Sequence, residues 1–453
     1  KVGMIGGSYD GWTQLMAAAN GAPHLAAIVP IAPVADWYHV VGKGGAKYAG
    51  WTPHSPLGYN FLIPMGDPAT LADPERAPAD PRLQRADDQA CAAENQLWSD
   101  DLSGDYNDWM KARDLRPKAA QAKAPMLYAH GLVDMNARPD HVDPWYNSYG
   151  GPKRAWLWQM THASPSAANT GRGTDWDALV LAWMDHHLLG LDNGINRTYG
   201  TVEVQDSIGR WRVETAWPPL DAAPTELPLS RGRLALPGQA NATPAAAGPL
   251  GALPDVPASA LLAEETATWQ DTVVEDGGTL GTRTTAPGRG DAPGRLCFRS
   301  DPLPTDLHYA GRPVARVVVS SDRPQTLVVA RLYQILPDGS WVLVNEGVRA
   351  LAARDSLEEP QPGTPQTTYT LHVEMQPEDF VFRAGDAIGL VLSSSDASYV
   401  VPSGTLATNA LHMGGPTPSA LVLPAIERAN FTAVTWGDEQ PPWEGPEPWG
   451  VPR

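Results

Sequence analysis

A six-residue segment near the start of the chain, Gly6-Gly7-Ser8-Tyr9-Asp10-Gly11, limits what this protein can fold into more than any other feature. An apolar run, residues 2–5, precedes it, and a stretch of helical character, residues 12–20, follows it. Strand, tight glycine turn and helix in that order describe a nucleophile elbow, which lifts a serine above the end of a parallel sheet. The turn is strained, so small residues must flank the serine. A serine in a glycine-rich turn is commonly only a turn residue; the strand and helix on either side give this one its catalytic reading.

The pattern downstream fits such a sheet. Residues 24–31 form a second apolar run, and residues 124–130 and 155–159 a third and fourth. Near-continuous apolar strands alternating with helical segments indicate a parallel sheet buried on both faces. Residues 176–189 have helical spacing and end at Gly190 and Gly194. Residues 36–115 are rich in Pro, Gly, Asp and Trp, and read as an insertion of short helices over the carboxyl edge of the sheet. From about residue 199 the pattern becomes all-β. Residues 201–205, 314–321, 325–336, 341–345, 367–374 and 387–394 read as strands, with a turn at Ser207-Ile208-Gly209, which suggests a sandwich or jelly roll. The Ala/Pro/Gly-rich residues 234–258 and the Pro-rich tail, 440–453, read as irregular.

A serine hydroxyl needs a base to take its proton, and the base is usually a histidine oriented by a carboxylate. On an elbow-type sheet the chain order is Ser, acid, His, with the acid and the histidine each following a later strand. Asp134 follows the strand ending at His130, and His162 follows the strand ending at Gln159. Asp134 also has a bland reading as a helix cap, and His162 as a strand-end residue, but their order selects them. His130 reads as a packed strand residue, and His186 and His187 as structural helix residues. The backbone N–H of Tyr9, next after the serine, is the expected oxyanion donor. A second donor normally comes from upstream of the elbow.

With 453 residues, 42% hydrophobic, the chain has enough apolar surface for two or three domains. Its net charge of −18 and pI near 4.9 argue against a nucleic-acid partner. No apolar run approaches the roughly 18–20 residues of a membrane span. Cys91 and Cys297 give neither metal-ligand spacing nor a disulfide framework. The Gly/Pro-rich, Lys-poor composition leans towards secretion.

These segments resemble the Xaa-Pro dipeptidyl-peptidase family and the related cocaine esterase and α-amino acid ester hydrolase group. The elbow, with Gly11 three places after Ser8, has the group's form. So do Ala35-Asp36-Trp37-Tyr38, the segment 105–109 through Arg113-Asp114, and His130-Gly131-Leu132 with Asp134 and Asn136. Phe298-Arg299-Ser300-Asp301-Pro302-Leu303 and Ala310-Gly311-Arg312-Pro313 resemble the group's β domain. The resemblance implies an α/β-hydrolase with a helical cap (residues 1–195, cap about 36–115) followed by an all-β jelly-roll-like sandwich (196–453).

The resemblance also implies a serine hydrolase with Ser8 as nucleophile, Asp134 as acid and His162 as base. Asn136 would help hold the substrate's free amine, and Trp37 and Tyr38 would stand near a proline pocket. The expected substrate is a peptide, releasing Xaa-Pro dipeptides. A small ester or amide is the alternative substrate, and a non-catalytic binding protein the alternative of another class. The peptidases' amine-pairing carboxylate has no counterpart in residues 37–66, and Asp36, Asp67, Glu94 or a residue upstream of the elbow is expected to replace it. No metal or organic cofactor is implied. Because the elbow strand opens the chain, an upstream segment or companion chain is expected to complete the sheet.

Overall fold

The computed structural model describes residues 1–48, 104–166, 170–171, 175–230, 232–236, 265–270, 283–284, 294–396, 398–401, 403, 406–414 and 417–427. Most of the expected cap, including Asp67, Cys91 and Glu94, lies outside the described residues, as does the tail.

The first unit is built on a six-stranded sheet. Its strands are β1 (Val2–Gly7), β2 (Leu25–Ile31), β5 (Met126–Gly131), β6 (Lys153–Trp158), β7 (Val202–Gln205) and β8 (Trp211–Glu214), paired in that order. All are parallel except β8, which returns antiparallel to β7. A two-stranded ribbon, β3 (Gly42–Lys43) and β4 (Ala46–Lys47), stands apart. Every residue of β5 is buried, because helices cover both faces. Successive strand residues point to opposite faces, so Met126 and Tyr128 pack with α1 (Tyr9–Ala19) and α4 (Val142–Ser148) through Leu15, Ala18 and Trp145. Leu127 and Ala129 pack on the other face with Trp156, Trp158 and α5 (Asp175–Met184), which contributes Trp176, Leu179 and Trp183. Each such large side chain stabilises the fold by roughly 1.5–3 kcal/mol when fully buried. The short helices α2 (Tyr38–Val41) and α3 (Asp108–Lys111) flank the undescribed stretch.

Two strands that lie beyond residue 196 join the first sheet and not the sandwich. β7 and β8 belong to the first sheet, and β7 is buried along its whole length, with Val202 and Val204 in the same core as Tyr128. Alternation announces a strand but not the sheet it joins. Beyond them, Val314–Ser321 pairs antiparallel with Tyr369–Glu374, Thr408–Met413 and Ala420–Ala425. Leu327–Ile335 lies between Trp341–Ala350 and Ala387–Ser393. Alternate residues of the two groups, such as Val317, Val319, Leu371 and Leu421 against Val328, Leu332, Leu390 and Phe298, meet in one core, which makes a two-layered sandwich.

Charged residues join the units where they matter for the site. Arg312 donates to Asp140 Oδ1 at 2.9 Å and also reaches Asp143. Arg138 donates to Glu346 at 3.3 Å and lies over the Tyr48 ring, 4.1 Å from its centroid. Gln159 donates to Glu378 Oε1 at 2.8 Å, and Arg212 pairs with Asp379. At the opposite flank of the sheet β1 pairs only with β2 among the described residues, and its Val2 and Ile5 are more than half exposed, at 55% and 53%.

Candidate active site

Ser8 follows β1 directly and caps α1 with φ 56° and ψ −119°. A non-glycine residue in this region is strained and needs surroundings that enforce it. Its own N–H donates to Ile31 O at 2.9 Å, which ties the apex to the end of β2, and Trp12 N–H closes the first helical turn onto Ser8 O at 3.0 Å. The glycines make room. A Cβ on Gly6 would stand 2.6 Å from Asp10 Cβ, and one on Gly11 would stand 2.9 Å from Pro33 Cβ. Gln14, fully buried, staples the elbow from below. Its amide donates to Gly6 O at 3.2 Å and Asp10 O at 2.9 Å, and accepts from Val29 N at 3.0 Å.

Asp134 and His162 follow β5 and β6 at the same carboxyl edge, where ligands of such sheets bind. His162 Nδ1 lies 2.7 Å from Asp134 Oδ2. The other carboxylate oxygen accepts from Asn136 N at 2.8 Å and Ala137 N at 3.0 Å, so the loop wraps around its own acid. Asp134 is fully buried, whereas the His162 side chain is 26% exposed. Since a carboxylate only accepts, Nδ1 is the ring nitrogen that donates to Asp134, which turns Nε2 away from the acid. Gly131 permits the approach: a Cβ there would come within 2.2 Å of Met160 O and 2.7 Å of Thr161 O. The loop also returns to the elbow, because Ser164 Oγ would be 4.0 Å from a Cβ on Gly7.

Two buried histidines brace the site. Burial, reinforced by the neighbouring His141, pushes His130 down to about 3, against the pull of Asp134. It is therefore neutral, donates from Nε2 to Ala137 O at 2.8 Å, and holds the acid loop without competing with His162 for charge. Burial likewise lowers His141 to about 4, and its Nε2 donates to Pro33 O at 2.7 Å.

A recess opens beside the serine, lined by Ser8, Tyr9, Trp12, Val34, Trp37, Asn136 and Ala137. The structure thus brings Trp37 and Asn136 to Ser8. Tyr38 is not in this lining: it is buried edge-on against Tyr106, and its hydroxyl accepts from Gly45 N at 2.8 Å. Tyr9 occupies the first helical position after the serine. Asp36 is already engaged, with His39 Nδ1 at 2.9 Å and Arg116 Nε at 3.4 Å. Burial would raise its carboxyl, but His39 and Arg116 outweigh that and hold it well below the usual range. Trp12, Gln14 and the close approach at Gly131 escaped the sequence reading, since each depends on what the fold brings alongside. Among the described residues no group of His, Cys, Asp or Glu could hold a metal, and no helix is long and apolar enough to cross a membrane.

A strained serine on a parallel sheet, an Asp–His pair at the same edge and a β-sandwich behind them define the class as an α/β-hydrolase fold with an all-β second unit. The chain belongs to the X-Pro dipeptidyl-peptidase family: residues 193–432 match the X-Pro dipeptidyl-peptidase C-terminal non-catalytic domain, and residues 1–164 the X-Pro dipeptidyl-peptidase (S15 family). A Bacillus anthracis protein that carries the provisional name Xaa-Pro dipeptidyl-peptidase is 27% identical over 88% of this chain and 60% of its own length. The cocaine esterase of Rhodococcus sp. (strain MB1 Bresler) is 26% identical over 94% of this chain and 81% of its own. The fold is shared with a CocE/NonD family hydrolase from Staphylococcus aureus, with a TM-score of 0.68 and 15% identity over 94% of this chain and 72% of that one. The chain spans 59% to 62% of the length of the first curated relatives it matches.

Proposed function

We propose that this protein is a serine hydrolase that works through an acyl-enzyme, with Ser8 as nucleophile, His162 as base and Asp134 as the acid that orients it. The observation that carries the reading is the 2.7 Å contact from His162 Nδ1 to a buried Asp134, at the sheet edge where Ser8 sits in left-handed backbone. His162 Nε2 takes the Ser8 Oγ proton as Oγ bonds to the substrate's carbonyl carbon. The Tyr9 N–H faces the developing oxyanion. His162 then gives the proton to the leaving amine or alcohol, and water repeats the sequence to release the acid.

The substrate we favour is a peptide with proline second from its amino end, cleaved to free an Xaa-Pro dipeptide. Family membership and the aromatic Trp37 beside Ser8 support it, since a flat ring packs well on a pyrrolidine. A small acyl ester or amide is the second reading. The cocaine esterase relative supports that one. Asn136 remains the amine's proposed contact. A panel of Xaa-Pro p-nitroanilides and p-nitrophenyl esters tests the choice: Xaa-Pro turnover is expected, and turnover of esters alone overturns the peptidase assignment in favour of the second reading.

A further inference from the structure

We propose that Trp12 sets the size of acyl group this site accepts, an inference that rests on the hydrolase reading above and deepens it. Trp12 lies one helical turn beyond Ser8, its N–H bonded to the Ser8 carbonyl at 3.0 Å. Side chains on a helix lean towards its N-terminus and cover the turn before them. The indole therefore leans back towards the nucleophile, and it lines the recess together with Ser8.

Its neighbours keep it there. Its ring meets Trp37 edge-on, with centroids 5.5 Å apart and planes at 90°, and Tyr9 at 6.2 Å and 77°. Tyr9 and Trp37 close the triangle at 5.8 Å. Below, Trp12 packs against two cores, that of the main sheet and that formed by Val34, Trp37, Tyr38, Val40, Met110 and Ala137. Contacts with two cores and two rings hold the indole in this position. Among the described residues, Asn136 and the Ser8 hydroxyl are the polar side chains of the lining beyond the aromatic rings. Next to the scissile carbonyl such a recess takes a short or flat group, such as a methyl or a five-membered ring, and turns away a long alkyl chain.

The test is a series of p-nitrophenyl esters from acetyl to octanoyl, with benzoyl and prolyl analogues. It compares the full-length protein with its Trp12→Val and Trp12→Phe variants, and a fluorophosphonate reports on Ser8 in each. Shortening the ring opens the recess, so Trp12→Val is expected to raise kcat/KM for octanoyl relative to acetyl by roughly tenfold or more, mainly through KM. Trp12→Phe should fall between. If Ser8 is labelled in all three and the chain-length profile keeps its shape, Trp12 is only packing and this proposal is overturned. If the parent protein is neither labelled nor active, the hydrolase reading falls and takes this proposal with it.

Discussion

Exchanging Asp134 for Asn should disable the site while leaving the fold in place. In the parent, Asp134 Oδ2 accepts from His162 Nδ1 at 2.7 Å, while Oδ1 accepts from Asn136 N and Ala137 N at 2.8 and 3.0 Å. The asparagine oxygen can keep both loop bonds. Its amide then faces Nδ1 and donates, which forces the imidazole hydrogen onto Nε2 and leaves no lone pair for the serine proton. Loss of the productive tautomer in a Ser-His-Asp site costs roughly 10³–10⁴-fold in kcat, or about 4–5.5 kcal/mol of barrier. Asp134→Ala should differ in kind, since it also frees two N–H groups worth about 0.5–1.5 kcal/mol each and loosens the loop. Turnover of the best substrate and a urea melt separate the two effects: Asp134→Asn loses activity at near-parent stability, and Asp134→Ala loses both. An Asp134→Asn variant retaining kcat within about tenfold of the parent would refute the assigned roles.

Three further outcomes follow from the geometry. In Gly131→Ala the new methyl meets the carbonyl oxygens of Met160 and Thr161, 2.2 and 2.7 Å away. The His162 loop must shift, and the rate of fluorophosphonate labelling should fall roughly 100-fold, as a displacement of about 1 Å can cause; an unchanged rate would show that the loop adapts freely. Burial pushes the Glu378 carboxyl from 4.5 up to about 8, against hydrogen bonds from Gln159 and the Asp379 N–H. The folded state thus holds a proton that the unfolded state releases, and parent stability declines by about 1.4 kcal/mol per pH unit between 4.5 and 8 from this group. Glu378→Gln removes that slope, so its stability relative to the parent should rise across the window and level off above it; a constant difference in melts taken from pH 5 to about 9 would contradict the buried, protonated carboxyl. Arg312→Met leaves the fully buried Asp140 with Lys43 as its remaining side-chain partner and frees Asp143, so denaturant unfolding should report a loss of about 3–5 kcal/mol, and a loss under ~1 would show the junction to be dispensable.

Much of the site could be read from the residues because local chemistry imposes it. Gly6 and Gly11 are small for reasons of contact within the elbow and its next strand, so strand, turn and helix emerged together. Chain order then pointed to Asp134 and His162, which the structure joins. Other features are tertiary and left no local trace. Val202 and Val204 alternate as they would in either sheet, and only pairing with β6 assigns them to the first. Trp12 and Gln14 look like ordinary helix residues until Trp37 and Val29 arrive from elsewhere in the chain. Tyr38 stands next to Trp37 in sequence, but the turn into α2 sends it towards Tyr106 and Gly45 instead of the recess. The pairing of Arg138 with Glu346 joins residues no periodicity could connect.

The central claim is that Ser8 is a working nucleophile. Incubating the full-length protein with a fluorophosphonate and mapping the adduct by peptide mass spectrometry tests it directly. One adduct on the peptide containing Ser8, absent in Ser8→Ala together with all turnover, is the expected result. Turnover that survives Ser8→Ala, or an adduct on a different serine, would contradict it.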